Sequence, residues 1–181
     1  MDRRTFIASL VGASAIPIVG CSDTTAPPSW TDFLGEVDPP TPPEVEKTKE
    51  QWQAALPPAV YAIMFENGTE PAYSHPLNNE YGAGTYVCFA CNNPLFSSDT
   101  KYDSKTGWPS FWDRLPGSIL YELEIDREQT LPGIEYHCRR CHGHHGHVFG
   151  DGPPPTGRRH CNNGLSLKFI PEGDPLPPLV K

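Results

Sequence analysis

"YVCFAC", Tyr86 to Cys91, is answered further along the chain by "YHCRRC", Tyr136 to Cys141. A C-x-x-C turn on a tight knuckle aims two thiolates at one point, and two knuckles complete a tetrahedral four-sulfur site. A tyrosine precedes each pair by two residues, so the two turns are expected to share one geometry. The spacing therefore predicts one zinc ion held by Cys88, Cys91, Cys138 and Cys141. With sulfur in every position the metal has no open place, so it staples and does not catalyse. A small domain with a thin core gains folding energy from such a site. Two disulfides are the competing reading for an exported chain. Disulfides inside C-x-x-C are strained and usually redox-active, which favours the metal.

Outward from the knuckles, 181 residues leave room for one domain plus tails. Hydrophobic content is low at 37%, partly because 22 prolines gather toward the two ends. A net charge of −8 speaks against a nucleic-acid partner. The leader "MDRRTFIASLVGASAIPIVGC" has two adjacent arginines and then a small-apolar run, Phe6 to Val19, too short to span a membrane. "RRTFI" resembles a twin-arginine signal and "IVGC" a lipobox, so residues 1–20 are expected to be removed and Cys21 lipidated. An ordinary secretory leader is the plainer alternative. Twin-arginine export carries folded proteins, so zinc would be loaded before crossing. The expected location is the bacterial cell envelope, periplasmic or on the outer face of a membrane, with a lipid anchor. Residues 21–46 are proline-rich and acidic, a linker spanning at most ~75 Å at ~3.1 Å per residue.

The domain itself is placed at residues 47–172, with a proline-rich tail at 173–181. "VEKTKEQWQAAL" reads as a short helix stopped at Pro57-Pro58, and "PPAVYAIMFENG" as a second one. From Gly84 on, "GTYVCFAC", "SILYELEI", "GIEYHCRRC", "GHVFG" and "LSLKFI" are short, β-branched or aromatic segments bounded by Gly, Pro, Asn and Asp. The fold class is accordingly mainly β.

The stretch "CHGHHGHVFGDGPPPTGRRHCNNGLSLKF" gathers the chemistry. His142, His144, His145 and His147 can be read as a metal site, a solvated loop, or the source of a general acid. His142 and His145 are taken as exposed or structural, while His144 and His147, three apart, are placed to face one pocket. Asp151 is the only acid close to them in this stretch. Cys161 lies between Arg158-Arg159 and Asn162-Asn163, and nearby positive charge and amide donors lower a thiol pKa into a reactive range. A lone buried cysteine acting as a small hydrophobe is the bland alternative. The alternation of "LSLKF" after it places the cysteine on the way into a strand, a rigid mount for a nucleophile.

These blocks, together with "PLFSSDTKYDS", "GWPSF", "RRHCNN" and "SLKFIP", make Gly84 to Pro171 resemble the methionine-R-sulfoxide reductases. The resemblance implies two antiparallel sheets and a zinc between two C-x-x-C turns, to which the chain's own pattern adds the short N-terminal helices. It implies that Cys161 attacks a methionine sulfoxide and becomes a sulfenic acid. It makes His147 the proton donor with His144 beside it, and puts Asp151 in the family's acidic position. Trp108 and Phe149 would line the substrate pocket, and Arg159 and Asn163 would position or polarise Cys161. Many members carry a resolving cysteine just before the tryptophan block, where this chain has Thr106. The expected cycle therefore uses one cysteine and an outside thiol, from a thioredoxin-like or glutaredoxin-like partner. His160 stands where the family usually has an aromatic residue, as a stacking ring or as an extra acid. A monomer is expected, repairing free methionine sulfoxide or oxidised proteins under oxidative stress. The rivals are a non-enzymatic zinc-stapled binding module and a metal-buffering lipoprotein using "HGHHGH".

Overall fold

The computed structural model describes residues 44–122 and 134–181, all within the compact unit Glu36–Lys181. The leader, the lipobox with Cys21 and nearly all of the linker lie outside the described residues.

Two short helices come first. Helix α1, Lys49–Ala55, starts at a capping box in which Thr48 and Gln51 satisfy each other's backbone N–H groups. Helix α2, Pro58–Phe65, begins on a proline whose missing N–H costs nothing there. Trp52 and Phe65 stack at 5.3 Å and lock the pair together.

Among the described residues nine strands follow: β1 Gly84–Cys88, β2 Pro94–Ser97, β3 Lys101–Tyr102, β4 Ser110–Phe111, β5 Ile119–Glu122, β6 Ile134–Cys138, β7 His144–Phe149, β8 Arg159–Asn162 and β9 Leu167–Pro171. They form two sheets, ordered β2-β1-β9 and β3-β4-β8-β7-β6-β5, with every pairing antiparallel. The mainly-β, two-sheet expectation holds. Fully buried aromatic rings fill the core. Phe96 stacks on Phe111 at 4.4 Å, Tyr86 meets Phe111 edge-on at 4.8 Å, and Tyr136 meets the His160 ring at 5.5 Å.

The proline-rich tail is strapped across the knuckles. Val180 donates its N–H to the Cys91 carbonyl, Arg140 reaches the Val180 carbonyl, and Asn92 reaches Pro178. At the other end Val45 is buried and donates to the Arg140 carbonyl. Both ends of the described domain thus close over the cysteine turns.

Candidate active site and metal centre

The two knuckles have one geometry. In the first, Asn92 donates to the Cys88 carbonyl and Cys88 to Asn93, with Asn92 at φ 62°. In the second, His142 donates to the Cys138 carbonyl and Cys138 to Gly143, with His142 at φ 56°. The four sulfurs converge, with Cys88 Sγ 3.6 Å from Cys141 Sγ and Cys91 Sγ 3.5 Å from Cys138 Sγ. All four lie within 4.8 Å of one another. A tetrahedron with metal–sulfur bonds of about 2.3 Å has edges of about 3.8 Å, so the set fits one ion. Asn93 points its amide at Cys138 Sγ from 3.7 Å, the kind of outer donor that steadies a thiolate ligand. The described cysteines are all free, so the disulfide reading finds no bridge here. Burial first, and the neighbouring cysteines after it, push the Cys88 thiol up.

Cys161 sits elsewhere, at the centre of the larger sheet. Strand register pairs Tyr102 with Ser110, Ser110 with Cys161, Cys161 with His147, and His147 with Glu135. Residues directly opposite in neighbouring strands project to the same face, so this row presents a thiol beside an imidazole. A cavity of about 160 Å³ opens above it, lined by Trp108, Gly146, His147, Phe149, Cys161 and Asn163. Thr69, from the loop after α2, also lines it. Gly146 is required where it stands. At φ +156°, a Cβ there would fall 1.9 Å from the Cys161 carbonyl oxygen.

The charged groups around the thiol are arranged in series. Asp151 grips Arg159 through two bonds of 2.8 Å, and the Arg159 guanidinium lies 4.3 Å from the Phe149 ring centre. Asp151 is largely exposed, and this pairing lowers its carboxyl pKa. It therefore acts through Arg159, which in turn reaches the Cys161 thiol. The sequence predicts a thiol lowered by its arginine. In the structure burial pushes the Cys161 thiol up, and Arg159 and the Thr106 hydroxyl offset only part of that. The net direction is upward, because the half-buried thiol loses more hydration than one shared guanidinium returns.

The histidines divide by a β-bulge. Tyr136 pairs with Gly146 and His137 with His144, so His145 is an extra residue in β7. In a regular strand, positions three apart face opposite sides. The bulge brings His144 and His147 to one side, with rings 5.6 Å apart. His144 is buried and bonded through Nδ1 to Glu135, a buried carboxylate that the sequence reading missed in favour of Asp151. The alternation of "GIEYHC" was a signal that could have found it, since Glu135 faces the same way as His137. Glu135, His137 and His144 also form a group able to hold a metal, so donors for a second ion come from β6 as well as the histidine motif.

His142 is exposed and near Glu44, as expected. His145 is fully buried and held neutral, pushed down to about 3 by loss of water, with its Nδ1 on the Ser166 hydroxyl. Its carbonyl takes two bonds from Asn163, whose side-chain oxygen accepts from the Glu70 N–H. Asn163 is thus a brace between three segments, and its amide is spent on backbone. Glu70 also accepts from the N–H groups of Gly164 and Leu165, and its carbonyl holds the Trp108 indole at 3.1 Å. His160 is decided too. It is fully buried and pushed down to about 3, and it accepts from the Tyr121 hydroxyl at 2.8 Å, so it is a packed neutral ring.

Fold and site together define a thiol-based oxidoreductase domain stapled by a four-cysteine centre. The SelR domain model matches residues 56–171. Peptide methionine sulfoxide reductase MsrB of Leptospira interrogans is 46% identical over 129 residues, 71% of this chain and 98% of the relative. The protein of the same name from Methanosarcina mazei is 45% identical over 131 residues, 72% of this chain and 93% of its own. That from Acinetobacter baumannii is 48% identical over 126 residues, covering 70% and 90%. The chain belongs to the methionine-R-sulfoxide reductase family.

Proposed function

We propose that this protein reduces the R epimer of methionine sulfoxide with Cys161 as the nucleophile and an external thiol as reductant. The observation that carries the reading is the cross-strand row that sets Cys161 beside His147 under a cavity walled by Trp108 and Phe149. The Cys161 thiolate attacks the sulfoxide sulfur, and the oxygen leaves that sulfur for the cysteine. Methionine departs and Cys161 becomes a sulfenic acid. His147, the imidazole directly opposite Cys161, gives the oxygen its proton. His144, fixed by Glu135, stands beside it. Trp108 and Phe149 offer apolar walls to the S-methyl group. Arg159, held by Asp151, supports the anion on Cys161.

Thr106 has no thiol to form a disulfide, and the four other described cysteines are buried together at the knuckles. Regeneration is therefore intermolecular. One outside thiol displaces water from the sulfenic acid, and a second releases Cys161 with formation of the donor's disulfide. A thioredoxin-like or glutaredoxin-like donor fits that chemistry. Cys88, Cys91, Cys138 and Cys141 hold zinc, whose contribution is to cross-link the two hairpins. The leader motifs support a lipid anchor at Cys21, and with it repair of oxidised envelope proteins.

The test is turnover of separate R and S methionine-sulfoxide peptides by the full chain with excess dithiothreitol, beside Cys161→Ser. Loss of the R epimer alone, abolished by the serine, is the expected result. A folded, metal-loaded protein that turns over neither epimer would mean a binding module on the same scaffold. Mass spectrometry after substrate alone should find Cys161 oxidised and unbridged.

A further inference from the structure

Thr106 does more than leave out a cysteine. Its hydroxyl bonds the Cys161 thiol and lies 2.8 Å from the Ser104 hydroxyl. Ser104 in turn lies 2.7 Å from the Ser110 hydroxyl, and Ser110 reaches the Trp108 carbonyl at 3.0 Å. Ser110 is fully buried and sits directly opposite Cys161 across β4 and β8. In both hydroxyl pairs either oxygen can donate. A chain of single-proton rotors then has two complete arrangements. In one, the thiol donates to Thr106, Thr106 to Ser104, Ser104 to Ser110, and Ser110 to the Trp108 carbonyl. In the other, every rotor turns back, so that Ser110 donates to Ser104, Ser104 to Thr106, and Thr106 to the sulfur.

We propose that Thr106, Ser104 and Ser110 form a reversible hydroxyl chain that turns its hydrogen bonds onto the Cys161 sulfur when that sulfur becomes an anion. The inference rests on reading Cys161 as the nucleophile. Thr106 is then a catalytic residue, because it touches the reacting atom, and Ser104 and Ser110 are positioning residues. No O–H bond breaks. The S–H bond breaks heterolytically, its electron pair stays on sulfur, and its proton passes to water, while the sulfoxide oxygen takes its own proton from His147. The hydroxyls only rotate. What is given up is one neutral bond to the Trp108 carbonyl, and what is gained is a bond to an anion, the stronger kind. The other groups that act on the sulfur are Arg159 on its own strand, Asp151 behind it, His147 on β7, and the phenols of Tyr102 and Tyr136 on β3 and β6. The arginine is shared with Asp151 and the phenols stay protonated, so the hydroxyl chain works beside Arg159 in offsetting part of the burial.

The experiment is iodoacetamide alkylation of Cys161 in the full, metal-loaded chain, without substrate or reductant, from about pH 6 to about pH 10. Mass spectrometry locates the label. Thr106→Val should move the titration up by about one pH unit and slow labelling at neutral pH about tenfold. Thr106→Ser should restore the profile. Ser104→Ala, which does not touch the sulfur, should move it the same way by a smaller amount. An unmoved profile in Thr106→Val overturns the proposal. So does an unmoved profile in Ser104→Ala, which decides the matter alone if the valine variant fails to fold. Sulfoxide turnover by the unaltered chain is read separately. Its absence would strike the proposed function, while the thiol profile would still report on the chain.

Discussion

The hairpin from Tyr86 to Ser97 and the hairpin from Tyr136 to His147 are the same object built twice. Each has a buried tyrosine, a C-x-x-C turn, a left-handed residue after the second cysteine, and matching turn bonds. Each also has a bulge at the fourth residue past the second cysteine, Leu95 in one and His145 in the other. The strands that follow part company. In the three-stranded sheet β2 is an edge, whereas β7 lies between β6 and β8. Ser97 and His147 occupy equivalent positions, and only His147 has a neighbour strand carrying a cysteine opposite it. The knuckle is thus a staple in both copies. A histidine meets a cysteine in one copy only, because that copy feeds the middle of a sheet.

The largest effect should be indifferent to which copy is altered. Cys88→Ser and Cys138→Ser should each lose the metal and most of the fold, since a structural zinc site supplies on the order of 10 kcal/mol. Metal content and melting temperature of the two variants should fall together. A variant from one knuckle that kept its metal would break the equivalence.

The next effect should be wholly one-sided. His147→Ala should cut turnover by about 10²–10⁴-fold, the range of a lost general acid, at unchanged melting temperature. Ser97→Ala, at the matching position, should leave turnover where it was.

The bulge residues sharpen the comparison further. His145 is a neutral buried ring in a leucine's place, so His145→Leu should cost less than ~1.5 kcal/mol. Ser166 keeps its bond to the Asn163 carbonyl in that variant. The reverse change, Leu95→His, buries an imidazole without a partner and should cost about 1–3 kcal/mol. Chemical denaturation of the pair reads both.

The smallest effect concerns acid. His145 and His160 are held down to about 3 in the folded protein. The unfolded chain takes up those protons near an ordinary pKa of about 6.5, so stability is full above that pH and falls as pH drops toward 3. Each histidine contributes a slope of about 1 kcal/mol per pH unit in that window. His160→Phe should be less stable at pH about 8, having lost the Tyr121 bond, yet show a flatter decline below pH about 6. An equal slope in both proteins would mean that His160 is not held neutral.

Much of this was legible beforehand for a simple reason. Cysteine spacing, strand patterning and the proline stops at α1 and α2 are local, and local signals survive in one dimension. The tetrathiol centre was readable from spacing, while the two sheets and the gathering of Trp108, His147, Phe149 and Cys161 around one cavity came through the family resemblance. Glu135 was not readable, because it reaches His144 only through the pairing of β6 with β7. The brace of Asn163 on Glu70 joins residues 93 positions apart, a distance no motif spans.

By itself the sequence determined that two like knuckles would meet and that Cys161 would stand apart from them. Tertiary structure alone decided the state of that cysteine. Its flanking arginine suggested a lowered pKa, but burial in the middle of a sheet pushes it up, and Arg159 is partly claimed by Asp151. It also decided which histidine faces the cavity and which packs inside, because the bulge turns His145 into the core and His147 toward the cavity. Desolvation and strand register depend on what surrounds a residue in space, and neighbours along the chain do not report that.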